Sequence, residues 1–469
     1  MNLDLVLPWV QQKLLRGDIM RRDLIVISAI FLFSICLGLT GCSMSVKDAK
    51  STDENEFERF DTPYTRCEAN DDGTYSMYIY AAPVQFKKDN QYYKKDNSIV
   101  ESPDSKSTYE NKENDIKTII SKVLDKGVSI VDDKGEISIE LDDCEEFSNG
   151  EVNNYTNIFG DTVEAVVYEN KKLNRKVIIY PAISGIYVEF ECQEGSYMPK
   201  IRVKTDAADF EDKKNGYIIL KTHDDKKAVI YNPIVKYQDD KEFHFDMKYH
   251  CYQKMGGIEL QFPINAGENK RAVRVAFSVE RYVKKMPDTS LYTKVNINSY
   301  LRNYAIIGYH NTFGEGIEYL RFRANYYMNT RPDNIISAEY CMKRLDNRRP
   351  EHELTLYKKK EQWSSTKDLW SDKIERGSKE VGKGIIDNNG WLHFDITKFM
   401  RQCVTDKTWL MESYGCILES SNNYAVLATS DNSLYVPYIK IIMKNKLKYF
   451  KKHENSEEDT GPLTENAYY

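Results

Sequence analysis

The sequence lacks the short motifs that mark the common catalytic and metal-binding sites. It has no His-Glu-x-x-His, no Gly-x-Ser-x-Gly, no phosphate-binding glycine loop and no Cys-x-x-Cys pair. Histidine is scarce, with 7 residues in 469, and tryptophan is scarcer, with 5. These absences give no support to a zinc protease, a serine hydrolase or a nucleotide-binding enzyme, and no cofactor is expected.

The sequence also lacks a net positive charge and closely spaced metal ligands. The net charge is −6, whereas nucleic-acid binders are usually basic, so no nucleic-acid partner is expected. His244 and His250 are six residues apart, which is about 20 Å along an extended strand, too far for one metal ion. No metal site is therefore predicted. Calcium ligation by the loops at 387–389 and 431–432 stays open, although no twelve-residue calcium loop is present.

The cysteines do not form a disulfide pattern. Two of the nine, Cys36 and Cys42, lie in an apolar N-terminal segment, and the other seven are widely scattered. An odd number at wide spacing is a poor disulfide framework. Free, buried thiols are therefore favoured over a bridged scaffold.

The chain does contain one long apolar run, residues 24–39 (LIVISAIFLFSICLGL), preceded by Arg21 and Arg22. A positive segment followed by an apolar one is typical of a secretory signal. The run ends in Leu-Thr-Gly-Cys, which resembles the lipobox of bacterial lipoproteins. This resemblance implies cleavage before Cys42, a lipid on its sulfur and an extracytoplasmic, membrane-anchored protein. The alternative is a single transmembrane anchor, for which the run is short.

The regions on both sides of this signal are polar. Residues 1–19 do not fit a signal segment, so a true start at Met20 is favoured within the signal region 1–41. Residues 42–65 are acidic with no apolar pattern and are expected to form a flexible tether. Residues 447–469 are also polar and are expected to be a disordered tail.

The sequence between the predicted tether and the predicted tail is typical of β-strands. Residues 136–141 and 242–251 alternate apolar and polar side chains, and clusters of Asp, Asn, Gly and Lys separate such runs. Residues 114–124 fit a short helix or a strand, and 396–403 fit a short helix. An all-β fold is predicted, with a β-rich domain at 66–286 and a second at 287–446, because the composition shifts at Met286-Pro287.

The second domain resembles the DNRLRE-domain family of bacterial and archaeal surface proteins. Its motifs occur in order: 319–322 (YLRF), 335–340 (IISAEY), 361–363 (EQW), 390–397 (GWLHFDIT), 414–418 (YGCIL) and 436–439 (VPYI). The resemblance implies a jelly-roll-like β-sandwich with a non-catalytic surface role. The first domain resembles, at 83–87 (PVQFK) and 91–99, the segment that often precedes such domains in wall-associated proteins of Gram-positive bacteria.

Three functions from different classes stay open. The first is a lipid-anchored protein that binds wall or extracellular polysaccharide or acts in adhesion, with Trp409 and Tyr424 as exposed contacts because they lie in loop-like stretches. The second is a structural or protein-binding scaffold of the envelope, and the third is a glycan hydrolase or lyase. Three other tryptophans, at 363, 370 and 391, fit either the sandwich core or a sugar-stacking platform.

Overall fold

The computed structural model describes most of the body of the chain. The described residues are 62–142, 144, 146–206, 209–213, 217–222, 225–238, 242–245, 247–254, 256–266, 272–283, 285, 288–294, 303–320, 330–346, 354–359, 376–406, 415–420 and 424–445. The predicted signal segment, Cys42, most of the tether, Trp409 and the tail lie outside them. No helix among these residues has the length and apolar character needed to cross a membrane.

The strands of the first half are β1 (Thr65–Ala69), β2 (Tyr75–Tyr80), β3 (Gln85–Lys88), β4 (Gln91–Lys94), β5 (Asp96–Ser102), β6 (Ser105–Glu113), β7 (Lys117–Ser121), β8 (Val128–Asp132), β9 (Gly135–Leu141), β10 (Glu151–Thr156), β11 (Thr162–Asn170), β12 (Arg175–Pro181), β13 (Gly185–Cys192), β14 (Gly195–Tyr197), β15 (Lys200–Thr205) and β16 (Asp209–Lys213). A 3₁₀ turn spans Leu124–Lys126.

The remaining strands are β17 (Tyr217–Thr222), β18 (Asp225–Tyr231), β19 (Ile234–Tyr237), β20 (His250–Lys254), β21 (Gly257–Gln261), β22 (Ile264–Ala266), β23 (Val273–Arg281), β24 (Asp288–Tyr292), β25 (Tyr304–His310), β26 (Gly314–Leu320), β27 (Ile335–Lys343), β28 (Leu354–Lys359), β29 (Arg376–Ile386), β30 (Trp391–Asp395), β31 (Cys416–Ser420), β32 (Ala425–Ala428) and β33 (Tyr438–Met443). A 3₁₀ turn spans Pro332–Asn334 and one helix, α1, spans Thr397–Asp406.

The predicted all-β class is confirmed, because large antiparallel sheets that pack as sandwiches make up the described body. An eight-stranded sheet runs β20-β21-β15-β9-β8-β7-β6-β5. A nine-stranded sheet runs β10-β11-β12-β13-β23-β18-β17-β16, with β19 also paired to β23. A twelve-stranded path runs β1-β2-β33-β27-β30-β29-β28-β31-β26-β25-β32, with β24 paired to β26.

The eight- and nine-stranded sheets enclose the first hydrophobic core. Alternate side chains of β9, such as Ile137 and Ile139, pack in one cluster with Val177 and Ile179 of β12. Both pairs are fully buried. The period of two that predicted a strand at 136–141 therefore reflects a strand with one face on this core.

The twelve-stranded path folds back on itself around a second core. Ile439 and Ile441 of β33 lie in one cluster with Ala305 and Ile307 of β25, although these strands are far apart along the path. Strand β29, with 11 residues, pairs with β30 on one side and β28 on the other and so links the two layers. This arrangement forms the C-terminal sandwich.

A third cluster joins the two sandwiches through the second face of the nine-stranded sheet. Ile178 and Tyr180 of β12 pack in one cluster with Tyr304 and Ile306 of β25. The rings of Tyr180 and Tyr187 stack, with centroids 5.4 Å apart and 2° between their planes. Strands β12, β13 and β23 are thus buried on both faces, which explains their nearly continuous apolar sequence.

Buried charges are paired at this junction. The Lys285 ammonium lies 3.2 Å from the Glu280 carboxylate and 3.4 Å from that of Asp431. The other oxygen of Glu280 accepts a hydrogen bond from the Ser433 hydroxyl at 2.7 Å. Since Asp431 and Ser433 follow β32 whereas Glu280 lies on β23, one cation holds residues from both sandwiches.

Three sequence-based expectations are corrected. Strands β1 and β2 were expected in the domain at 66–286, but β2 pairs along its whole length with β33, so they belong to the C-terminal sheet. The predicted tether ends earlier than 65, because Tyr64 and Thr65 are buried. The strand predicted at 242–251 forms only from His250, since Phe243 and Phe245 pack into the inter-sandwich cluster from an irregular segment.

Other expectations hold. Residues 114–124 contain a strand rather than a helix, 396–403 fall within or next to α1, and a new strand begins at Asp288. The seven described cysteines are free thiols.

Replacing Lys285 with methionine should destabilise the protein strongly. The variant would leave two carboxylates buried without a cation, and breaking a buried ion pair costs about 3–5 kcal/mol. Denaturant unfolding measures this loss. The matched control is Lys172→Met, because the side chain of Lys172 is 76% exposed in its pair with Glu146, and such pairs contribute about 0–1 kcal/mol. Equal effects of the two substitutions would contradict the proposed role of Lys285.

Stability should also depend on the protonation of Asp431. Burial raises the pKa of this carboxyl from 3.8 to about 6, against the opposing effect of Lys285. A raised folded-state pKa contributes stability that is complete below pH about 4 and lost as the pH rises through about 6. We expect Asp431→Asn, which mimics the protonated acid, to gain stability relative to the parent protein across this interval. Parallel unfolding free energies from pH 4 to 6 would exclude the effect.

Candidate functional site

The outer surface of the C-terminal sandwich presents a set of aromatic rings. Inward residues of β2, β33, β27 and β30 pack in the second core, and the alternate residues therefore point away from it. Among these outward residues, Tyr78, Tyr80, Tyr438 and Trp391 are partly exposed. We call the surface that they form the aromatic face.

Strand register brings these four rings together. Tyr80 is paired directly with Tyr438, and Tyr78 lies two residues away on the same strand. The ring centroids are 6.2 Å apart for Tyr78 and Tyr80, 5.6 Å for Tyr80 and Tyr438, and 5.4 Å for Tyr438 and Trp391. The rings therefore form one continuous strip across β2, β33 and β30.

Charged side chains border the strip. The Arg66 guanidinium lies 5.3 Å from the centroid of Tyr78 and forms an ion pair of 2.5 Å with Glu68. The Lys440 ammonium lies 5.8 Å from the same ring. A surface that alternates flat apolar rings with charged donors and acceptors suits a ligand with both apolar and polar faces.

The hydroxyl groups of the strip are not acidic. Burial raises the pKa of Tyr80 to about 12. Burial also raises the pKa of Tyr438, and the neighbouring Cys341 adds to this effect. Both tyrosines are therefore neutral at physiological pH and offer hydrogen bonds rather than charge.

Cys341 lies beneath the strip. It is fully buried although it points outward on β27, since Tyr438 and Trp391 on the two flanking strands meet across it. Burial raises the pKa of its thiol to about 12. Without a bound cation, the thiol is therefore protonated and a poor nucleophile at neutral pH.

A histidine and two carboxylates adjoin this thiol. His393 is paired directly with Cys341, and its Nδ1 lies 3.5 Å from the Cys341 sulfur and 3.3 Å from Glu339 Oε2. Its Nε2 lies 3.5 Å from Asp387 Oδ2. The sequence gives no sign that His393 lies next to Cys341, because the two residues are 52 positions apart and only strand pairing places them side by side.

Asp387 is held rigidly below the histidine. Partial burial opposes its ionisation, but hydrogen bonds from the backbone N–H groups of Trp391 and Asn389 and from His393 lower its pKa. Its Oδ1 accepts the two backbone N–H groups at 2.8 and 2.9 Å. The loop at 387–389 thus positions a carboxylate toward His393.

Of the two expected contact residues, Trp409 and Tyr424, the structure describes only Tyr424. Tyr424 was expected to be an exposed contact, and this is wrong: it is 7% exposed, and its ring packs 4.7 Å from His310 in the inter-sandwich cluster. The apparent loop around it precedes β32, which faces both neighbouring layers. Trp409, Trp363 and Trp370 lie outside the described residues.

One of the most deeply buried carboxylates, that of Glu189, belongs to a structural ion pair. Glu189 accepts hydrogen bonds from the backbone N–H of Ile158 at 2.8 Å and from the Tyr180 hydroxyl at 2.7 Å, and it pairs with Arg274. Glu189 is 0% exposed, so it lies between layers of the fold. A glycosidase needs two carboxyl groups facing one cleft, and this carboxyl does not meet that requirement.

Comparison with known proteins gives little further information. No protein-family model matches the sequence, and no curated protein matches it. One similar solved structure is the N-terminal domain of the Streptococcus gordonii adhesin Sgo0707, at 8% identity and a TM-score of 0.15, covering 79% of this chain and 85% of that one.

Another similar structure is BuGH86wt in complex with neoagarooctaose, at 11% identity and a TM-score of 0.11. This match covers 61% of this chain and only 36% of the other. At such TM-scores neither likeness carries an argument about fold or function.

Proposed function

We propose that this chain is a non-catalytic lipoprotein of the cell surface that binds wall or extracellular polysaccharide through its aromatic face. The observation that carries the proposal is the continuous strip of four partly exposed rings on one side of a sheet. Flat sugar rings present C–H groups on their faces, and these stack on aromatic side chains while the hydroxyl groups bond to polar neighbours.

The polar neighbours suit such a ligand. Glu339 and Lys440 are paired across β27 and β33, and Asp395 follows on β30 in the same row. Carboxylates accept and ammonium groups donate hydrogen bonds, so this row offers both kinds of partner beside the rings. The chain's acidity makes a neutral or weakly charged glycan a better ligand than a strongly anionic one.

The sequence likenesses belong to the same proposal. A lipid on Cys42 would tether the body to a membrane, and the resemblance of residues 288–444 to the DNRLRE-domain family of surface proteins implies a binding or spacing role. A structural or protein-binding scaffold is the second candidate function.

Glycan binding should fall when the strip is interrupted. We expect Tyr78→Ala to weaken binding by about 1–1.5 kcal/mol, or roughly five- to tenfold, because it removes one stacking ring. The assay is a polysaccharide and peptidoglycan array with the full chain purified in detergent, followed by calorimetry on any ligand found. Tyr309→Ala is the matched control, since Tyr309 is 56% exposed but lies on β25, outside the strip.

The results of this binding assay distinguish the two candidate functions. Saturable binding that Tyr78→Ala weakens and Tyr309→Ala preserves supports the aromatic face. Equal losses in both variants would place the ligand elsewhere. A folded protein without saturable glycan binding would contradict the glycan proposal and leave the scaffold as the better function.

The lipid anchor has its own test. When the chain is expressed in a bacterium, the mature protein should begin at residue 42 and partition into detergent, because a multiply acylated cysteine is firmly held by a membrane. Cys42→Ser should remain uncleaved and unlipidated. Mass spectrometry of the N-terminal peptide measures both properties, and an unmodified thiol at Cys42 in the mature parent protein would disprove the anchor.

A further inference from the structure

Three side chains of the aromatic face have the types and positions of metal ligands. One ligand atom each from Glu339, Cys341 and His393 lies within 4.8 Å of the other two. Thiolate and imidazole together are ligands that zinc and similar transition metals prefer, and a carboxylate oxygen completes many zinc sites. The set is thus more specific than a group of acidic residues.

Two of the three distances between ligand atoms agree with those around one ion. Zinc lies about 2.3 Å from sulfur and about 2.0–2.1 Å from nitrogen, so two such ligands of a tetrahedral site are about 3.5 Å apart. The Cys341 sulfur and His393 Nδ1 are 3.5 Å apart. The separation of 3.3 Å between Nδ1 and Glu339 Oε2 fits a nitrogen and an oxygen ligand equally well.

The backbone explains why these atoms converge. Glu339 and Cys341 are two residues apart on β27 and so share a face, and His393 stands directly opposite Cys341 on β30. All three ligands come from paired strands rather than from loops. Such a site needs no loop movement to form.

A second carboxylate orients the histidine from its other side. Metal-binding histidines usually donate the second ring N–H to a carboxylate or carbonyl, which fixes the tautomer. His393 Nε2 lies 3.5 Å from Asp387 Oδ2, and Asp387 is itself held by two backbone N–H groups.

The surroundings complete the site. Tyr438 lies directly opposite Cys341 on β33, and its ring packs 5.4 Å from that of Trp391. The side chains of His393 and Glu339 are 30% and 43% exposed, so a fourth ligand position would be open to water. Lys440 is paired directly with Glu339, and its ammonium lies over the ring of Tyr78.

We infer that Cys341, His393 and Glu339 form a binding site for a zinc-class divalent cation, with Asp387 as a positioning residue. Binding replaces the thiol proton of Cys341, which leaves to solvent, with a metal–sulfur bond. The site does not depend on glycan binding, although it lies in the same face.

Cobalt is the probe that reports the thiolate. The full chain, purified in detergent and stripped with a chelator, is titrated with Co²⁺ and then with Zn²⁺. We expect one equivalent of Co²⁺ to produce a sulfur-to-cobalt charge-transfer absorption, and Zn²⁺ to displace it. Cys341→Ser should remove this absorption, whereas Cys403→Ser, which changes a partly exposed thiol in α1, should preserve it.

The supporting residues give a separate readout. Asp387→Asn should keep the charge-transfer absorption but weaken Zn²⁺ binding about 10- to 100-fold, since residues that orient a ligand have effects of this size. His393→Gln, at a position that is 30% exposed, tests the site if Cys341→Ser fails to fold. Zn²⁺ should raise the Tm of the parent protein and not that of His393→Gln.

Two results would overturn the inference. One is a parent protein that binds Co²⁺ without sulfur charge transfer or does not bind it at all. The other is unchanged Zn²⁺ affinity in both Cys341→Ser and His393→Gln. Either result leaves glycan binding untouched, because Tyr78 lies outside the ligand set.

Discussion

The central strands β12, β13 and β23 of the nine-stranded sheet are buried on both faces, and this is the constraint on which the described structure depends. These strands have no solvent side, so any polar residue on them needs a partner inside the protein. Glu189 and Glu280 are 0% exposed there. Arg274 and Lys285 neutralise them, and Lys285 also reaches Asp431 beyond β32. Charge pairing and apolar packing therefore join the two sandwiches at the same surface, which argues against free movement of one sandwich relative to the other.

Stacking of the sandwiches also determines where a large ligand can bind. Among the described residues, the inner half of the C-terminal sandwich faces the nine-stranded sheet, and the outer half keeps an accessible face. Strands β1 and β2 extend that half, although they come from the beginning of the described chain. Their addition contributes Tyr78 and Tyr80, two of the four rings of the aromatic face. Without this return of the chain, the strip would consist of Tyr438 and Trp391 alone.

The aromatic face and the inferred cation site share one structural origin. On a strand, every second residue points to the same side, and paired strands align these residues in rows. One row across the sheet reads Tyr80, Tyr438, Cys341, His393 and Ile385. Rings at one end of the row bury the thiol, and the histidine beside it remains partly exposed. A bound cation would therefore place positive charge at the edge of the rings, within reach of a ligand lying on them.

The sequence by itself determined the all-β class, the short helix near residue 400, the start of a strand at Asp288 and the free state of the described cysteines, because these depend on local alternation, propensity and spacing. It also pointed to export and lipidation, which rest on residues before the described fold. It misplaced β1 and β2, took Tyr424 for an exposed loop residue and found no grouping of Cys341 with His393. These properties depend on which strands pair and which faces are covered. Strand pairing between residues far apart in sequence leaves no local pattern, so only the tertiary structure decided them.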